Sequence, residues 1–276
     1  MIEQRNLVIV RAGTRSLHNT WLDRNASRTW DLLICPYEEI LATPGQGVIV
    51  CNTVPGPKWT GLKRLLTQWQ GWREYRYILL ADDDLFATQN TWTRFFDRCV
   101  HYDAKLAQPA LTQGSYFSHL VTLRCPEFVA RRVSYIEVMM PCFAVDVLAA
   151  LLDTLDLTKT GSGWAIDSLW AKRLRYDRLF IMDETPVLHT RPVASAYANQ
   201  LKAIYAESAE ILREYNVPKV YKTFSGFLAD ARELKEGDPA FLYHLFRGYQ
   251  WVFDERPDRF TRMLKLQLTP FDPDKW

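Results

Sequence analysis

Four short apolar runs, each cut off by a loop signal, constrain the fold of this chain more than any other feature. Residues 7–10 run into Arg11-Ala12-Gly13, and residues 31–35 stop at Pro36. Residues 48–51 end at Asn52, before the turn-rich Val54-Pro55-Gly56-Pro57, and Tyr77–Ala81 gives way to Asp82-Asp83-Asp84. Continuous apolar runs of this length are what strands covered on both faces require. Before the fourth run, residues 58–72 carry Leu62, Leu65, Leu66 and Trp69 at helical spacing. Residues 19–29 read as a polar helix or loop. The alternation predicts an α/β fold, a mostly parallel Rossmann-like sheet flanked by helices.

The middle of the chain is less regular. Strands are expected over 107–111 and 115–123, and a strand-like stretch over 135–138 leads into an apolar helix over 145–155. Gly161-Ser162-Gly163-Trp164 interrupts that helix, helical spacing resumes over 165–174, and a late strand over 179–182 precedes a turn over 187–192. From Ala194 onward the pattern is helical and rich in Tyr, Phe and Leu, so the boundary is placed between a domain of residues 1–193 and a helical extension of residues 194–276. A chain of 276 residues with 48% apolar and 24% charged side chains has ample core material, which excludes disorder. A net charge of +2 supplies no field for nucleic acid, and none is expected as partner. Five scattered cysteines without a C-x-x-C pair predict free thiols. No run approaches the ~20 apolar residues of a membrane span. Together these predict a cytoplasmic protein, with peripheral contact at the inner face of a membrane left open.

Asp82-Asp83-Asp84 is where chemistry is concentrated. Three carboxylates against the end of an apolar strand repel one another, and a divalent cation relieves that conflict. Ligands of open α/β sheets sit beyond the carboxyl ends of strands, where this cluster falls. Alternation along extended chain lets Asp82 and Asp84 face one site while Asp83 turns aside. A solvated acidic turn is the plainer alternative. Asp167, in Gly163-Trp164-Ala165-Ile166-Asp167, opens a helical stretch, where an acid is favoured by the helix dipole. Beside a metal site it also has the makings of a general base. His189 ends an apolar stretch, which is ordinarily a structural position. Lys58, Lys63 and Arg64 form a basic cluster at a loop-to-helix start, suited to phosphate or to solvent. The sequence holds no Walker A, G-x-G-x-x-G or G-x-S-x-G motif.

In this order the residues resemble a nucleotide-sugar glycosyltransferase of the GT-A fold. Tyr77-Ile78-Leu79-Leu80-Ala81-Asp82-Asp83-Asp84-Leu85 is similar to that superfamily's DxD strand end, and the Gly-Trp-Ala-Ile-Asp segment and His189 follow at comparable places. Ala107-Gln108-Pro109-Ala110-Leu111 and Ile136-Glu137-Val138-Met139-Met140-Pro141-Cys142-Phe143 are similar, more narrowly, to a plant and bacterial family of unknown function regarded as GT-A-like. The resemblance runs from about Lys58 to Arg191.

It implies an enzyme in which Asp82 and Asp84, with His189, hold Mn²⁺ or Mg²⁺ against the diphosphate of a nucleotide-sugar, a UDP-sugar being favoured. It implies donor contacts from Arg11, Gly13, Asn52, Lys58, Lys63 and Asp83. Asp167 is the implied base, and Glu137, Met140, Phe143 and Trp164 line the side of a glycan or lipid-linked acceptor. Ala165 departs from the family, since a second Gly is common there. A nucleotidyltransferase acting on a sugar phosphate, or a non-catalytic sugar-binding or partner-binding module, is the alternative expectation.

Overall fold

The computed structural model describes residues 5–23, 25–42 and 44–272. Its strands and helices run β1 (Asn6–Ala12), β2 (Trp30–Pro36), β3 (Val48–Val50), α1 (Lys58–Gln68), β4 (Tyr77–Ala81), β5 (Leu85–Phe86), α2 (Gln89–His101), β6 (Leu106–Leu111) and β7 (Ala130–Val133). They continue β8 (Cys142–Ala144), α3 (Val145–Leu151), α4 (Ile166–Arg173), β9 (Leu179–His189), α5 (Leu201–Glu214), β10 (Thr223–Phe227), β11 (Glu233–Lys235), α6 (Pro239–Gly248), α7 (Gln250–Glu255) and α8 (Pro257–Leu268).

One sheet runs in the order β11-β10-β7-β9-β6-β8-β4-β1-β2-β3, with β5 pairing β9. The strands β3, β2, β1 and β4 are parallel neighbours, β8 enters antiparallel between β4 and β6, and β6 and β9 are parallel again. At the far end β7 and β11 are antiparallel to their neighbours, so seven of the ten strands on this path run one way and β7, β8 and β11 the other; in strand direction the sheet is mostly parallel, with helices on both faces.

Burial explains why the apolar runs are continuous. All seven residues of β1 are buried. Val8 and Val10 pack into one core layer with Leu32, Ile34 and Leu79, while Leu7 and Ile9 pack into the other with Leu33 and Ile78. The sheet divides two cores, and successive side chains go to opposite ones. The Trp59, Leu62, Leu65 and Leu66 stripe of α1 covers one face. The other face is covered by α2, an unanticipated helix that buries Trp92, Phe95 and Phe96. A reciprocal Thr88–Thr91 capping box starts it.

The structure corrects four expectations. Residues 115–123 do not form a strand but a turn and a short 3₁₀ segment, Leu120–Thr122. The expected strand over 135–138 is replaced by β7, a few residues earlier. The expected turn over 187–192 is in part strand, because β9 continues through Pro186 to His189, where Leu85 and Phe86 pair with it. After residue 194 the chain is largely helical, but β10 and β11 join the sheet against β7. Phe241, Leu245, Tyr249 and Val252 of that segment lie in the same core layer as Val8 and Leu79. Among the described residues no helix is long and apolar enough to cross a membrane. All five cysteines are free thiols.

Candidate active site

The site forms where β4 ends and its neighbours converge. The Asp82 amide donates to the Met139 carbonyl at 3.1 Å, and the Thr190 amide and hydroxyl donate to the Asp84 carbonyl at 3.0 and 2.8 Å. The acidic turn is thereby fixed between the segment before β8 and the end of β9. Asp82 and Asp84 line one cavity of about 130 Å³ together with Lys58, Glu137, Trp164, His189 and Tyr197. Asp83 points away, as alternation requires. It accepts from Arg191 and from the Gly13 amide, each at 2.9 Å, and from the Tyr37 hydroxyl at 3.3 Å. It therefore ties the loops after β1 and β2 to the end of β9.

His189 has its tautomer set by its partner. A carbonyl only accepts, so the 2.7 Å contact of Nδ1 with Tyr116 O is an Nδ1–H donor bond. Nε2 is left facing Asp84 Oδ2 at 3.3 Å. Burial opposes charge on both groups. The His189 bond and charge, with Arg191, still hold Asp84 below the usual carboxylate range, and Asp84 holds His189 above its ordinary value. The other Asp84 oxygen, Oδ1, is buried without a partner.

An orphaned carboxylate oxygen beside an imidazole whose second nitrogen is pinned is a fitting pair of ligands for Mn²⁺ or Mg²⁺. Asp82 is engaged differently: its Oδ1 sits 2.7 Å from Lys58 Nζ, which also donates to the Val138 and Met139 carbonyls at 2.8 and 2.7 Å. Enclosure pushes Asp82 up to about 6 against the pull of Lys58. Among the described residues no three His, Cys, Asp or Glu side chains are grouped to hold a metal ion. The donors that fit are Asp84 and His189.

A second cavity, of about 250 Å³, adjoins the first, and Glu137, Val138, Trp164 and Val193 line both. Asp167 lines this inner cavity but has both oxygens occupied. Oδ2 accepts from the Tyr135 hydroxyl at 2.6 Å and Oδ1 from the Ser168 amide at 2.7 Å. Burial raises it to about 6 in spite of those donors. Glu137 is 6% exposed, its amide is held by Gln108 at 2.6 Å, and its Oε2 has no partner. Burial and the Asp167 charge push Glu137 up to about 7, with His189 pulling the other way.

The Gly-Trp-Ala-Ile-Asp segment has a steric basis. Gly163 is at φ +76°, and a Cβ there would meet the Trp59 indole at 2.3 Å. Ala165 follows at φ 79°, a left-handed conformation that costs an L-residue about 1–2 kcal/mol and suits glycine.

Several expected contacts are placed elsewhere. The Arg11 guanidinium is buried and donates to the Val54 and Gly56 carbonyls at 2.6 and 2.9 Å, clamping the loop after β3 rather than facing a ligand. Lys63 bonds the Leu152 carbonyl at 3.0 Å and Asp156 at 2.8 Å and lines neither cavity. We expect Lys63→Ala to lower stability by at most about 1 kcal/mol, the usual worth of a partly exposed ion pair, measured by thermal unfolding. Asn52 is exposed, and Gly13 lies on another depression, so neither meets the two cavities. Met140 and Phe143, expected on the acceptor side, are fully buried core residues, Phe143 packing edge-on against Trp170. Tyr197, Tyr205 and Tyr221, whose aromatic-rich stretch suits a lid, an acceptor platform or a dimer contact as well as ordinary packing, line the cavities.

Fold and site together define a mixed α/β protein with strand-end carboxylates at the carboxyl edge of its parallel strands. No protein-family model and no curated protein matches the chain, so the narrower resemblance to a family of unknown function gains nothing from them. Among solved structures it is similar to S. aureus TarS 1–349, at 13% identity over 77% of this chain and 71% of that one, with a TM-score of 0.48. The same fragment with UDP-GlcNAc is similar at 13% identity over 96% and 77%, TM-score 0.46. The 2-C-methyl-D-erythritol 4-phosphate cytidylyltransferase of Thermus thermophilus is similar at 12% identity over 75% and 98%, TM-score 0.40.

Proposed function

We propose that the protein transfers a sugar, with inversion, from a nucleoside diphosphate donor to a hydroxyl of a glycan or lipid-linked acceptor. The observation that carries this reading is the pair of adjoining cavities with different equipment. One has Asp84, His189, Asp82 and Lys58, the other Asp167, and Glu137 stands in the wall common to both. A UDP-sugar is the donor that the sequence resemblance favours.

In this reading the acceptor oxygen bonds to the anomeric carbon as the sugar–phosphate bond breaks, and the electron pair leaves with the diphosphate. The acceptor proton goes to the Glu137 carboxylate, whose buried Oε2 has no partner, whereas both Asp167 oxygens already accept, from Tyr135 and Ser168, and Asp167 orients its surroundings. The proposed base thus moves from Asp167 to Glu137. Lys58 has its three donors satisfied and acts as a fixed positive charge beside the leaving group. Asp84 and His189 would hold Mn²⁺ or Mg²⁺, which when bound supplies a Lewis acid for the departing diphosphate. The Tyr116 carbonyl keeps the His189 ring oriented for that task.

Thermal unfolding with Mn²⁺ and a panel of UDP, GDP, CMP, CTP and ATP tests the reading. A ligand at a hundred times its dissociation constant adds about 2.7 kcal/mol, a rise of roughly 5–10 °C for a chain of this size. A Mn²⁺-dependent shift with UDP that disappears in Asp84→Asn is the expected result. A shift with CTP or ATP and none with UDP would instead indicate nucleotidyl transfer. A UDP shift with no turnover of any UDP-sugar, in the presence of acceptors, would leave a binding module.

A further inference from the structure

We infer that the acceptor is an anionic glycan, bound along a basic groove that leads out of the inner cavity beneath the C-terminal helix; the inference rests on the transferase reading above. The inner cavity continues into a groove of about 510 Å³, the two having Ser118, His119, Tyr205, Lys219 and Tyr221 in common. That volume lies within the ~300–1,000 Å³ of ordinary ligand sites. Glu137 and Asp167 stand at the inner end. The outer part is charged by Lys219, Arg259 and Arg262, and among the described residues no carboxylate lines it.

Three features separate this groove from an ordinary solvated surface. Arg259, Arg262 and Leu266 recur at i, i+3 and i+7, so one face of α8 is turned into the groove. Lys219 faces it from the loop after α5. Among the described residues none of the three cations makes an ion pair or a side-chain hydrogen bond. Arg259 instead lies over the Phe117 ring at 5.0 Å, with Arg256 over the same ring at 5.6 Å. In a chain whose charges nearly balance, cations gathered around a concavity without counter-ions repel one another until an anion enters.

The floor is aromatic. Tyr221 stacks on His119 with ring centres 4.2 Å apart and 17° between planes, and Tyr205 meets Trp164 edge-on at the passage inward. Burial, Arg262 and Lys219 push His119 down to about 4, so it contributes a flat neutral ring rather than charge. Flat rings below and cations at the rim suit a sugar chain bearing phosphate, carboxylate or sulfate groups. A bilayer is the less suitable occupant, because the cations lie on the wall of a concavity that a flat surface reaches poorly.

Calorimetric titration with dextran sulfate and with neutral dextran of equal length tests the groove. The sulfated polymer is expected to bind at least about tenfold more tightly and to weaken as salt screens the charges. The exposed Arg259→Glu/Arg262→Glu variant is expected to lose about tenfold or more. Arg232→Glu/Lys235→Glu, the same charge change at another exposed site, is expected to lose little. Equal affinity for both polymers, or equal loss in both variants, overturns the inference. So does binding to phosphatidylglycerol vesicles that the groove variant abolishes while dextran sulfate stays inert; the groove is then a membrane contact. UDP affinity in the same samples separates the two readings. UDP binding without dextran sulfate binding sinks the groove alone. Dextran sulfate binding without any nucleotide binding leaves an anion site and sinks the transferase.

Discussion

Glu137→Gln is expected to lower sugar transfer by about 10²–10⁴-fold, the usual contribution of a positioned base, while leaving UDP affinity within about twofold. Gln has the shape of Glu and cannot take a proton, so the loss isolates the chemical step. In the parent protein the rate is expected to rise with pH through about 7, because the base works as the carboxylate and burial holds Glu137 at about 7. Stability moves the other way. The folded protein binds the Glu137 proton more tightly than the unfolded chain, whose carboxyl titrates near its ordinary value of 4.5. The penalty for ionising Glu137 in the fold therefore begins above pH 4.5 and is complete above about 7. Glu137→Gln escapes it and should be more stable than the parent at pH 8, by at most roughly 3 kcal/mol. The difference should vanish below pH 4.5, where both side chains are neutral. Thermal unfolding at pH 4.5, 6 and 8 follows this, and a variant less stable at pH 8 contradicts an uncompensated Glu137. If Asp167→Asn loses transfer while Glu137→Gln keeps it, the base is Asp167 after all.

The parts of the fold legible in the sequence are those whose local pattern is unambiguous. Tyr77–Ala81 reads as a strand and is one, residue for residue, because both its faces are covered and every position is apolar. The short strands β7 and β8 are invisible for the opposite reason. Ala130-Arg131-Arg132-Val133 offers no apolar run, and three residues of β8 are too few for a period. Their strand character comes from partners far along the chain. The same holds for β9, whose apolar run ends at Met182 while pairing with β5 keeps the chain in a strand as far as His189.

At the site, carboxylates and histidine next to a strand end are readable because backbone alternation alone orients them. Long cations are not: Arg11 and Lys63 find carbonyls within reach, and no spacing rule announces that. Glu137 falls on the acceptor side by resemblance, but that one of its oxygens lacks a partner depends on Gln108, Ser118 and Asp167, which only the fold assembles.

The largest loss of stability is expected from Asp183→Asn. Arg131 and Asp183 are both fully buried and joined in a fork, with Arg131 Nε to Oδ2 at 2.8 Å and Nη2 to Oδ1 at 2.9 Å. Oδ1 also accepts from the Cys125 amide at 2.7 Å, and Arg131 further reaches the Leu123 carbonyl at 2.7 Å. Asn keeps the size but removes the charge, leaving a buried guanidinium uncompensated. That typically costs about 3–5 kcal/mol, a fall in Tm on the order of 10 °C. Arg131→Met/Asp183→Leu should recover much of it, since apolar pairs replace buried ion pairs well. A fall in Tm under about 2 °C for Asp183→Asn, or no recovery in the double variant, contradicts this account.

The pair also bears on function through position alone. Arg131 pairs with Ile181 across β7 and β9, six residues before Glu137 on one strand's continuation, and Asp183 lies six residues before His189 on the other. Loosening that register displaces the proposed base and the proposed metal ligand together. The double variant, with the charge fork gone but the core refilled, should therefore recover stability and transfer in parallel.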